Sequence, residues 1–207
     1  MEAVSPSLRE DLGGTVQPVP PFVLLLPPGW VSLEPTRDVF DDLAARASAV
    51  FRSQHRPDLD AQFRSMVASA ADEFLSRDPV RIIMQRDVPA ELMLPVTIMA
   101  ARLSSPDGAS LDARVSDLVR SQGAHPLDDR GVIMKWSSTS DRETEAGRVG
   151  LRGFNYLVPV PETARRQAVL FTASVPARAD GETLGEDYLE RLELVIDAVM
   201  STFRWSA

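Results

Sequence analysis

The sequence predicts an α+β fold, in which an antiparallel β-sheet carries helices on both faces and an inserted helical hairpin. The first observation is a β-hairpin pattern from Gly153 to Val175, in which two apolar runs flank the polar stretch Glu162 to Gln167. The second is a series of strand-like segments with tight connections, which implies antiparallel pairing. The third is that helical patterns precede and follow these strands, so helices can cover both sheet faces.

The two strands of this hairpin are each predicted to direct one apolar face toward the same side. Every second side chain of a strand lies on the same face, and both runs alternate with that period. A helical pattern at Glu186 to Phe203 follows directly and is expected to cover this face. The residues predicted to point inward are Phe154, Tyr156, Val158, Val160, Val169, Phe171, Ala173 and Val175, with Leu192 and Ile196 of the helix packed on them.

The rest of the chain is interpreted as one domain, 22-205, behind an extended or disordered N-terminal arm, 1-21, that lacks periodicity. The segment Thr139 to Gly147 is polar and charged and is predicted to be a loop. Gly123 should end the helix before it, and Thr183 with Glu186 matches a capping box for the last helix. The other predicted elements are strands at Phe22–Leu26, Val80–Arg86, Leu94–Ser104 and Gly131–Ser138, and a helix from Ser110, its expected cap, to Ser121, with Leu111, Val115, Leu118 and Val119 inward.

The inserted hairpin spans 36-77 and consists of two amphipathic helices on either side of Arg56-Pro57-Asp58. Two helices that face only each other need a narrow seam of about two positions in seven. The apolar stripes here are broader, so we expect one side to cover the sheet, a partner or a second copy. The residues predicted to form a partner or ligand surface are Phe40, Phe51, Phe63, Phe74 and Trp205.

Composition excludes several classes of function. The net charge is -8 and no basic run exists, which argues against nucleic acid and against an anionic membrane surface as partners. The chain has no cysteine, which removes disulfides, thiolate zinc sites and thiol nucleophiles. No stretch approaches the roughly 20 apolar residues of a membrane span, and no signal peptide is evident, so we expect a cytoplasmic protein without membrane insertion.

Candidate catalytic residues do not form a recognisable set. His55 and His125 are far apart in the sequence and are interpreted as helix-end and loop residues. Asp128-Asp129-Arg130 is interpreted as a solvated turn, and Ser137-Ser138 lacks a nucleophile-elbow motif. We therefore predict no catalytic residues, no cofactor and no metal. An acidic set is expected to be mainly helix-terminal and solvated charge, with docking of a basic partner left open: Glu182, Glu186, Asp187, Glu190 and Glu193.

Three short motifs resemble the PsbP/DcrB/LpqN-type superfamily, which includes the photosystem oxygen-evolving subunit and a Ran-binding nuclear import factor. They are Pro27-Pro28-Gly29-Trp30, Tyr156-Leu157-Val158-Pro159-Val160-Pro161 and Thr202-Phe203-Arg204-Trp205. The resemblance implies an α/β/α sandwich around an antiparallel sheet, in a small binding or assembly factor without a catalytic site. It covers Phe22 to Trp30 and Val80 to Trp205, so the helical hairpin is interpreted as an insertion.

The expected function is therefore that of a non-enzymatic protein-binding module, such as an adaptor or an assembly or secretion chaperone-like factor. Its partner is expected to be a protein, possibly a second copy in a homodimer. The alternative is a carrier or enzyme for a small apolar ligand, with a pocket between the helical hairpin and the sheet. The residues expected to line that pocket are Phe40, Phe63, Phe74, Tyr156 and Phe171.

Overall fold

The computed structural model describes residues 18–53, 64, 67–69, 71–86, 88–89, 92–94, 96–105, 108–144, 147–179 and 182–206. Its strands are β1 (Phe22–Val23), β2 (Trp30–Leu33), β3 (Pro79–Gln85), β4 (Thr97–Ser104), β5 (His125–Pro126), β6 (Met134–Thr144), β7 (Gly147–Pro159), β8 (Gln167–Ala179), β9 (Glu182–Thr183) and β10 (Arg204–Trp205). Its helices are α1 (Arg37–Ser53), α2 (Asp112–Gln122) and α3 (Glu186–Ser201). Residues 67–69 and 71–75 are also helical.

One large sheet organises the molecule. Its strands lie in the order β2-β3-β4-β8-β7-β6-β5, with β9 added to β8, and neighbouring strands pair antiparallel. A second, two-stranded sheet pairs β1 with β10, so the two ends of the described chain meet. Helices pack on both faces of the large sheet, which confirms the predicted α+β class.

The face covered by α3 contains the larger hydrophobic core, and it confirms the predicted alternation in β7 and β8. Tyr156 and Phe171 are fully buried at its centre. Leu192 and Ile196 of α3 pack on them, as the periodicity predicts. The other inward residues of the two strands are buried in the same cluster: Phe154, Val158, Val160, Val169, Ala173 and Val175.

The opposite face is covered by two helical units that pack on different parts of the sheet. The helical residues 67–69 and 71–75 form what we call the second helical segment. Phe40 of α1 and Phe74 of this segment pack on Ile82 of β3, with Met84, Met99 and Ala101 beside them. The α2 helix packs separately, with Leu111 and Ala124 against Trp136, Leu157 and Ala168. The helical hairpin therefore covers part of the sheet, which is one of the three expected roles.

The segment from Thr139 to Gly147 was predicted to be a loop, and that prediction is wrong for its described residues, because 139–144 belong to β6 and Gly147 begins β7. The β6–β7 ladder continues through Asp141↔Gly150 to Thr144↔Gly147. Alternation of apolar residues reveals only strands that bury one face, so a polar strand held by its neighbour gives no such signal. The β7–β8 register shifts between Gly150 and Leu151, as it does at a bulge or similar irregularity.

Three local predictions about α2 and α3 are wrong. Thr183 is not the cap of α3, because it pairs with Arg178 as part of β9 and Gly185 occupies the N-cap. Leu111 is the N-cap of α2, although the Ser110 hydroxyl accepts a hydrogen bond from the Asp112 amide at 3.1 Å. Val119, predicted to point inward, is 45% exposed. Gly123 does end α2, in the left-handed conformation with φ of 67°.

The predicted N-terminal arm overlaps the described residues only at 18–21, and residues 1–17 lie outside them. Val19 packs against the core on the α3 face. The carbonyl of Pro21 accepts a hydrogen bond from the Ser206 amide at 2.8 Å. The docked part of the chain therefore begins before Phe22, earlier than predicted.

Candidate functional site

A groove lies on the sheet face beside the helical residues 71–75, and we refer to it as the sheet groove. It encloses about 240 Å³. One group of its lining residues is apolar: Phe74, Met99, Ala101, Leu151 and Leu170. The other group is small or polar: Arg77, Ser138, Ser140, Gly153, Thr172 and Ser174. The groove thus presents an apolar wall and a row of hydroxyls to the same space.

The depth of the sheet groove follows from the strand register. Ser138, Gly153 and Ser174 lie directly opposite one another on β6, β7 and β8. Small side chains in one cross-strand row leave a depression beside a neighbouring row that contains Trp136 and larger side chains. A Cβ atom at Gly153 would lie 2.7 Å from the Ser138 hydroxyl oxygen, so glycine is needed for this close approach.

Asn155 lies on the same sheet face as Gly153, in the neighbouring cross-strand row, and supports the hydroxyls of the sheet groove from the side. Its side chain is buried, and its Nδ2 donates a hydrogen bond to Ser138 Oγ at 3.0 Å. Its Oδ1 accepts a hydrogen bond from Thr172 Oγ1, also at 3.0 Å. Because a buried amide with satisfied hydrogen bonds holds its partners in place, β6, β7 and β8 are cross-linked and two groove hydroxyls are oriented.

The sheet groove combines neutral hydrogen-bonding groups with an apolar wall. Among the described residues that line it, Arg77 alone is ionisable, and its guanidinium already pairs with Glu73 one helical turn away. The Ser and Thr hydroxyls both donate and accept hydrogen bonds, which suits neutral polar groups such as peptide amides. The apolar wall at Phe74 and Met99 suits an aliphatic or aromatic side chain.

A polar cluster on the α3 face escaped the sequence analysis. Lys135 Nζ lies 2.6 Å from Asp197 Oδ2 and 2.8 Å from Glu193 Oε1, and the Tyr156 hydroxyl donates to Asp197 Oδ1 at 2.8 Å. These contacts attach α3 to β6 and β7. The sequence did contain a sign of this cluster. A lysine lies in an otherwise apolar predicted strand, and two acidic residues lie four positions apart on the predicted helix, so that they share one helix face.

Burial and charge shift the titration of this cluster. Burial, followed by the negative charge of Asp197, raises the pKa of the Tyr156 hydroxyl far above its usual value. Burial alone lowers the pKa of Lys135, but the hydrogen bonds that Lys135 donates to Asp197 and Glu193 outweigh it, and the net pKa is raised. Lys135 therefore stays charged and Tyr156 stays neutral at physiological pH.

The acidic set predicted as solvated charge divides into different roles. Glu186 pairs with Arg152 of β7, and Glu193 pairs with Lys135. Asp187 and Glu190 are exposed on α3. For Glu182, the structure describes the backbone in β9 but not the side chain. At least two of these acids are therefore structural ion-pair partners.

The predicted aromatic surface does not form one patch in the described part of the chain. Phe40 and Phe74 are 8% and 7% exposed and contact each other edge to face, with ring centroids 6.1 Å apart. Only Phe74 of this pair lines the sheet groove. Trp205 is half-buried beside Phe203, with centroids 4.9 Å apart. Two predicted positions lie outside what the structure describes: the side chain of Phe51 and all of Phe63.

The five-aromatic pocket expected for a small ligand is wrong as a set. Tyr156 and Phe171 are fully buried on the α3 face, whereas Phe40 and Phe74 pack on the opposite face. The period-two rule correctly placed the first pair but could not show which face the hairpin covers, because that depends on the tertiary packing.

The remaining polar candidates have structural roles. The Arg130 guanidinium contacts the Asp128 carboxylate and the Ser201 carbonyl near the end of α3, and its hydrogen bond lowers the pKa of Asp128. His125 Nδ1 lies 3.0 Å from the Gly123 carbonyl, in the short β5 strand, while His55 lies outside the described residues. Within the described chain, no group of three or more His, Cys, Asp or Glu side chains is placed to hold a metal ion.

Comparisons with known proteins provide little further constraint. No protein-family model matches the chain, and no curated protein matches it. A solved structure of a mutant of the protein Mog1 is similar with a TM-score of 0.32 and 11% sequence identity, over 60% of this chain and 78% of that chain. A likeness of this size carries no weight for fold or function. The resemblance to the PsbP/DcrB/LpqN-type superfamily stays a prediction.

None of the described helices is both long enough and apolar enough to cross a bilayer.

Proposed function

We propose that this chain is a non-enzymatic protein-binding module, an adaptor or assembly factor, that holds a segment of a partner protein in the sheet groove. The observation that carries the proposal is the groove on the sheet face beside Phe74, with an apolar wall on one side and hydroxyls on its floor. The acidic, cysteine-free composition supports a cytoplasmic setting for this binding.

The shape and chemistry of the groove favour a peptide segment. Hydroxyls of Ser138 and Thr172 are already oriented by Asn155, so a partner amide can bond to them without reordering the floor. An apolar partner side chain can pack beside Phe74 and Met99. Recognition that combines backbone hydrogen bonds with one apolar anchor is a recurrent way in which peptide segments bind to sheets and grooves.

Filling the groove tests the proposal. Ser174 lies half-buried on the floor, and Ser174→Trp should place an indole where the partner segment binds. Thr139→Trp is the matched control, because Thr139 is exposed and its side chain lies on the opposite face of the same sheet. Both variants and the unmodified protein are immobilised in equal amounts, exposed to cell extract and compared by quantitative mass spectrometry.

We expect a defined set of proteins to be retained by the unmodified protein and by Thr139→Trp, and to be depleted with Ser174→Trp. Circular dichroism and thermal melting verify that both variants are folded. Equal retention by the two variants would contradict binding in the groove, and so would the absence of any protein enriched over a blank matrix.

A small apolar ligand in the same groove is a second candidate, favoured by the apolar wall of Phe74, Met99 and Leu170. It corresponds to the alternative of a carrier or enzyme with a pocket between the helical segment and the sheet. Native mass spectrometry of the purified protein should then show a bound small molecule that Ser174→Trp loses and Thr139→Trp keeps. A single unliganded mass in all three proteins would contradict this candidate.

A further inference from the structure

Asn155 holds two hydroxyls of the sheet groove in a fixed order of donor and acceptor. Asn155 Nδ2 lies 3.4 Å from the Trp136 carbonyl oxygen and 3.5 Å from the Gly153 carbonyl oxygen. Carbonyl oxygens only accept hydrogen bonds, so these two contacts identify the nitrogen end of the amide. The oxygen end therefore faces Thr172, whose Oγ1 lies 3.0 Å from Asn155 Oδ1.

This order determines what each hydroxyl offers to a ligand. Ser138 Oγ accepts a hydrogen bond from Asn155 Nδ2 at 3.0 Å, which leaves the Ser138 proton to be donated. The Thr172 proton is donated to Asn155 Oδ1, which leaves the lone pairs of Thr172 Oγ1 to accept. Both side chains line the sheet groove. The groove therefore presents one donor at Ser138 and one acceptor at Thr172.

A single carboxamide already spans these two hydroxyls from one side. Asn155 is 7% exposed, and its amide contacts Ser138 and Thr172 at 3.0 Å each. Since all carboxamides have the same dimensions, a second one can contact both hydroxyls from the groove. Its carbonyl oxygen would accept from Ser138 and its N–H would donate to Thr172, which is the reverse of the order in Asn155.

We propose that the partner segment inserts the side chain of a glutamine or an asparagine into the sheet groove, with its carboxamide between Ser138 and Thr172. This assignment rests on the proposed function, because it names the side chain by which a partner held in the groove is selected. The methylene groups of the inserted side chain pass along the apolar wall at Phe74 and Met99.

The size of the groove favours an inserted side chain over an inserted main chain. The groove encloses about 240 Å³, whereas pockets that enclose a drug-sized ligand begin at about 300 Å³. An apolar cavity of about 150 Å³ accommodates benzene, so the sheet groove has room for one side chain and little more. Ser138 and Thr172 are half-buried, and a single side chain reaches them more readily than a main chain flanked by its own side chains.

Other side chains match the floor less completely. An aliphatic side chain or a phenylalanine leaves the donor and the acceptor without partners, which costs free energy once water is excluded. A tryptophan has no acceptor for the Ser138 proton, and a tyrosine offers donor and acceptor from a single oxygen atom. A charged side chain needs a counter-charge, and the one ionisable residue described in the lining, Arg77, already pairs with Glu73.

Capped amino acids test the inserted side chain directly. N-acetyl-glutamine methylamide and N-acetyl-methionine methylamide have the same backbone and side chains of similar length, and they differ in the carboxamide. Each is titrated into the purified, isotope-labelled protein, and binding is followed by the NMR shift of the Gly153 amide, which lies in the groove. We expect the glutamine probe to bind roughly tenfold more tightly than the methionine probe, because two additional hydrogen bonds form.

Removal of one hydroxyl at a time shows whether the floor causes this preference. Ser138→Ala removes the donor and Thr172→Val removes the acceptor, and each should reduce the preference to about threefold or less. Ser137→Ala is the matched control and should keep the full preference, because Ser137 is the next residue of β6 and its side chain lies on the opposite sheet face. Thermal melting shows which variants are folded. Ser138→Ala alone decides the outcome if Thr172→Val, which leaves Asn155 Oδ1 without its donor, does not fold.

Equal affinities of the two probes would overturn the proposal, and so would the absence of any shift at Gly153 or a preference that persists in Ser138→Ala. The pull-down with Ser174→Trp measures whether the groove retains a partner at all. Loss of partners from Ser174→Trp together with equal probe affinities would leave the proposed function intact and overturn only the carboxamide assignment. Equal retention by Ser174→Trp and Thr139→Trp would instead contradict the proposed function itself.

Discussion

At the scale of single residues, the tyrosine beneath α3 has the most sharply defined environment. Tyr156 is fully buried, and its hydroxyl donates to Asp197 at 2.8 Å. Tyr156→Phe keeps the packing and removes this hydrogen bond to a charged acceptor. We expect a loss of about 1–3 kcal/mol in the free energy of unfolding at neutral pH, measured by urea denaturation. An unchanged free energy would mean that the hydroxyl adds nothing to the attachment of α3.

The same residue predicts a pH dependence. The folded protein keeps the Tyr156 proton at a pH where an ordinary tyrosine, with pKa 10.0, has lost it in the unfolded chain. The stability contributed by this group is therefore complete below pH 10.0 and declines as the pH rises further. The pKa of Lys135 is also raised, so the stability that Lys135 contributes also declines above pH 10.5, and it does so in both proteins. Stability should thus fall less steeply in Tyr156→Phe than in the unmodified protein, and parallel curves would contradict this.

At the scale of elements, the helical hairpin is the part whose role the structure decides. Phe40 is 8% exposed between α1 and β3, so Phe40→Glu buries an unpaired carboxylate against Ile82 and Phe74. We expect the variant to be largely unfolded, or destabilised by several kcal/mol, because an unpaired buried charge is among the costliest substitutions. The check is thermal melting followed by circular dichroism.

Ala45→Glu is the matched control for this prediction, because Ala45 is exposed on the same helix. Its melting temperature should stay close to that of the unmodified protein. A cooperative and equally stable Phe40→Glu variant would mean that the hairpin does not seal the sheet.

Strands and helices could be predicted from the sequence where one face of the element is buried, because the apolar residues then recur with the period of that element. The alternation around Tyr156 and Phe171 predicted the buried strands, and the stripe around Leu192 predicted the helix that covers them. The prediction failed at residues 139–144 of β6, which are all polar, so that only the hydrogen-bond ladder with β7 shows that this part of the strand exists. The capping-box prediction failed for a related reason, because pairing of Thr183 with β8 takes precedence over a local motif.

At the scale of the whole molecule, the two ends of the described chain close the α3 face together. Phe22 contacts Phe171, Phe203 and Trp205, with ring centroids 5.5, 5.3 and 6.0 Å apart. Because Phe22 is only half-buried, we expect Phe22→Ala to cost about 2–4 kcal/mol, somewhat less than a fully buried phenylalanine. Chemical denaturation measures this loss.

Leu25→Ala is its control, because Leu25 is 74% exposed and its amide, not its side chain, bonds to Thr202. This variant should be nearly as stable as the unmodified protein. If the two variants lost equal amounts, the aromatic contact between the chain ends would not be what stabilises this closure.

The layered architecture could be predicted from the sequence, but the sheet groove could not. Helical patterns before and after the strands indicate helices on both faces, whereas the groove depends on which residues lie opposite one another across three strands. Ser138, Gly153 and Ser174 are far apart in the sequence, and none is unusual alone. Their alignment is a property of the register, which tertiary packing determines.

The Lys135 cluster has a practical consequence for chemical labelling. Lys135 is the only lysine of the chain, and its amine is enclosed by two carboxylates with its side chain 13% exposed. A neutral, accessible amine attacks an amine-reactive ester, so the folded protein should be acylated at this position only when α3 separates from β6. The rate of acylation at Lys135, measured by mass spectrometry on the peptide that contains it, then reports that local opening without isotope exchange.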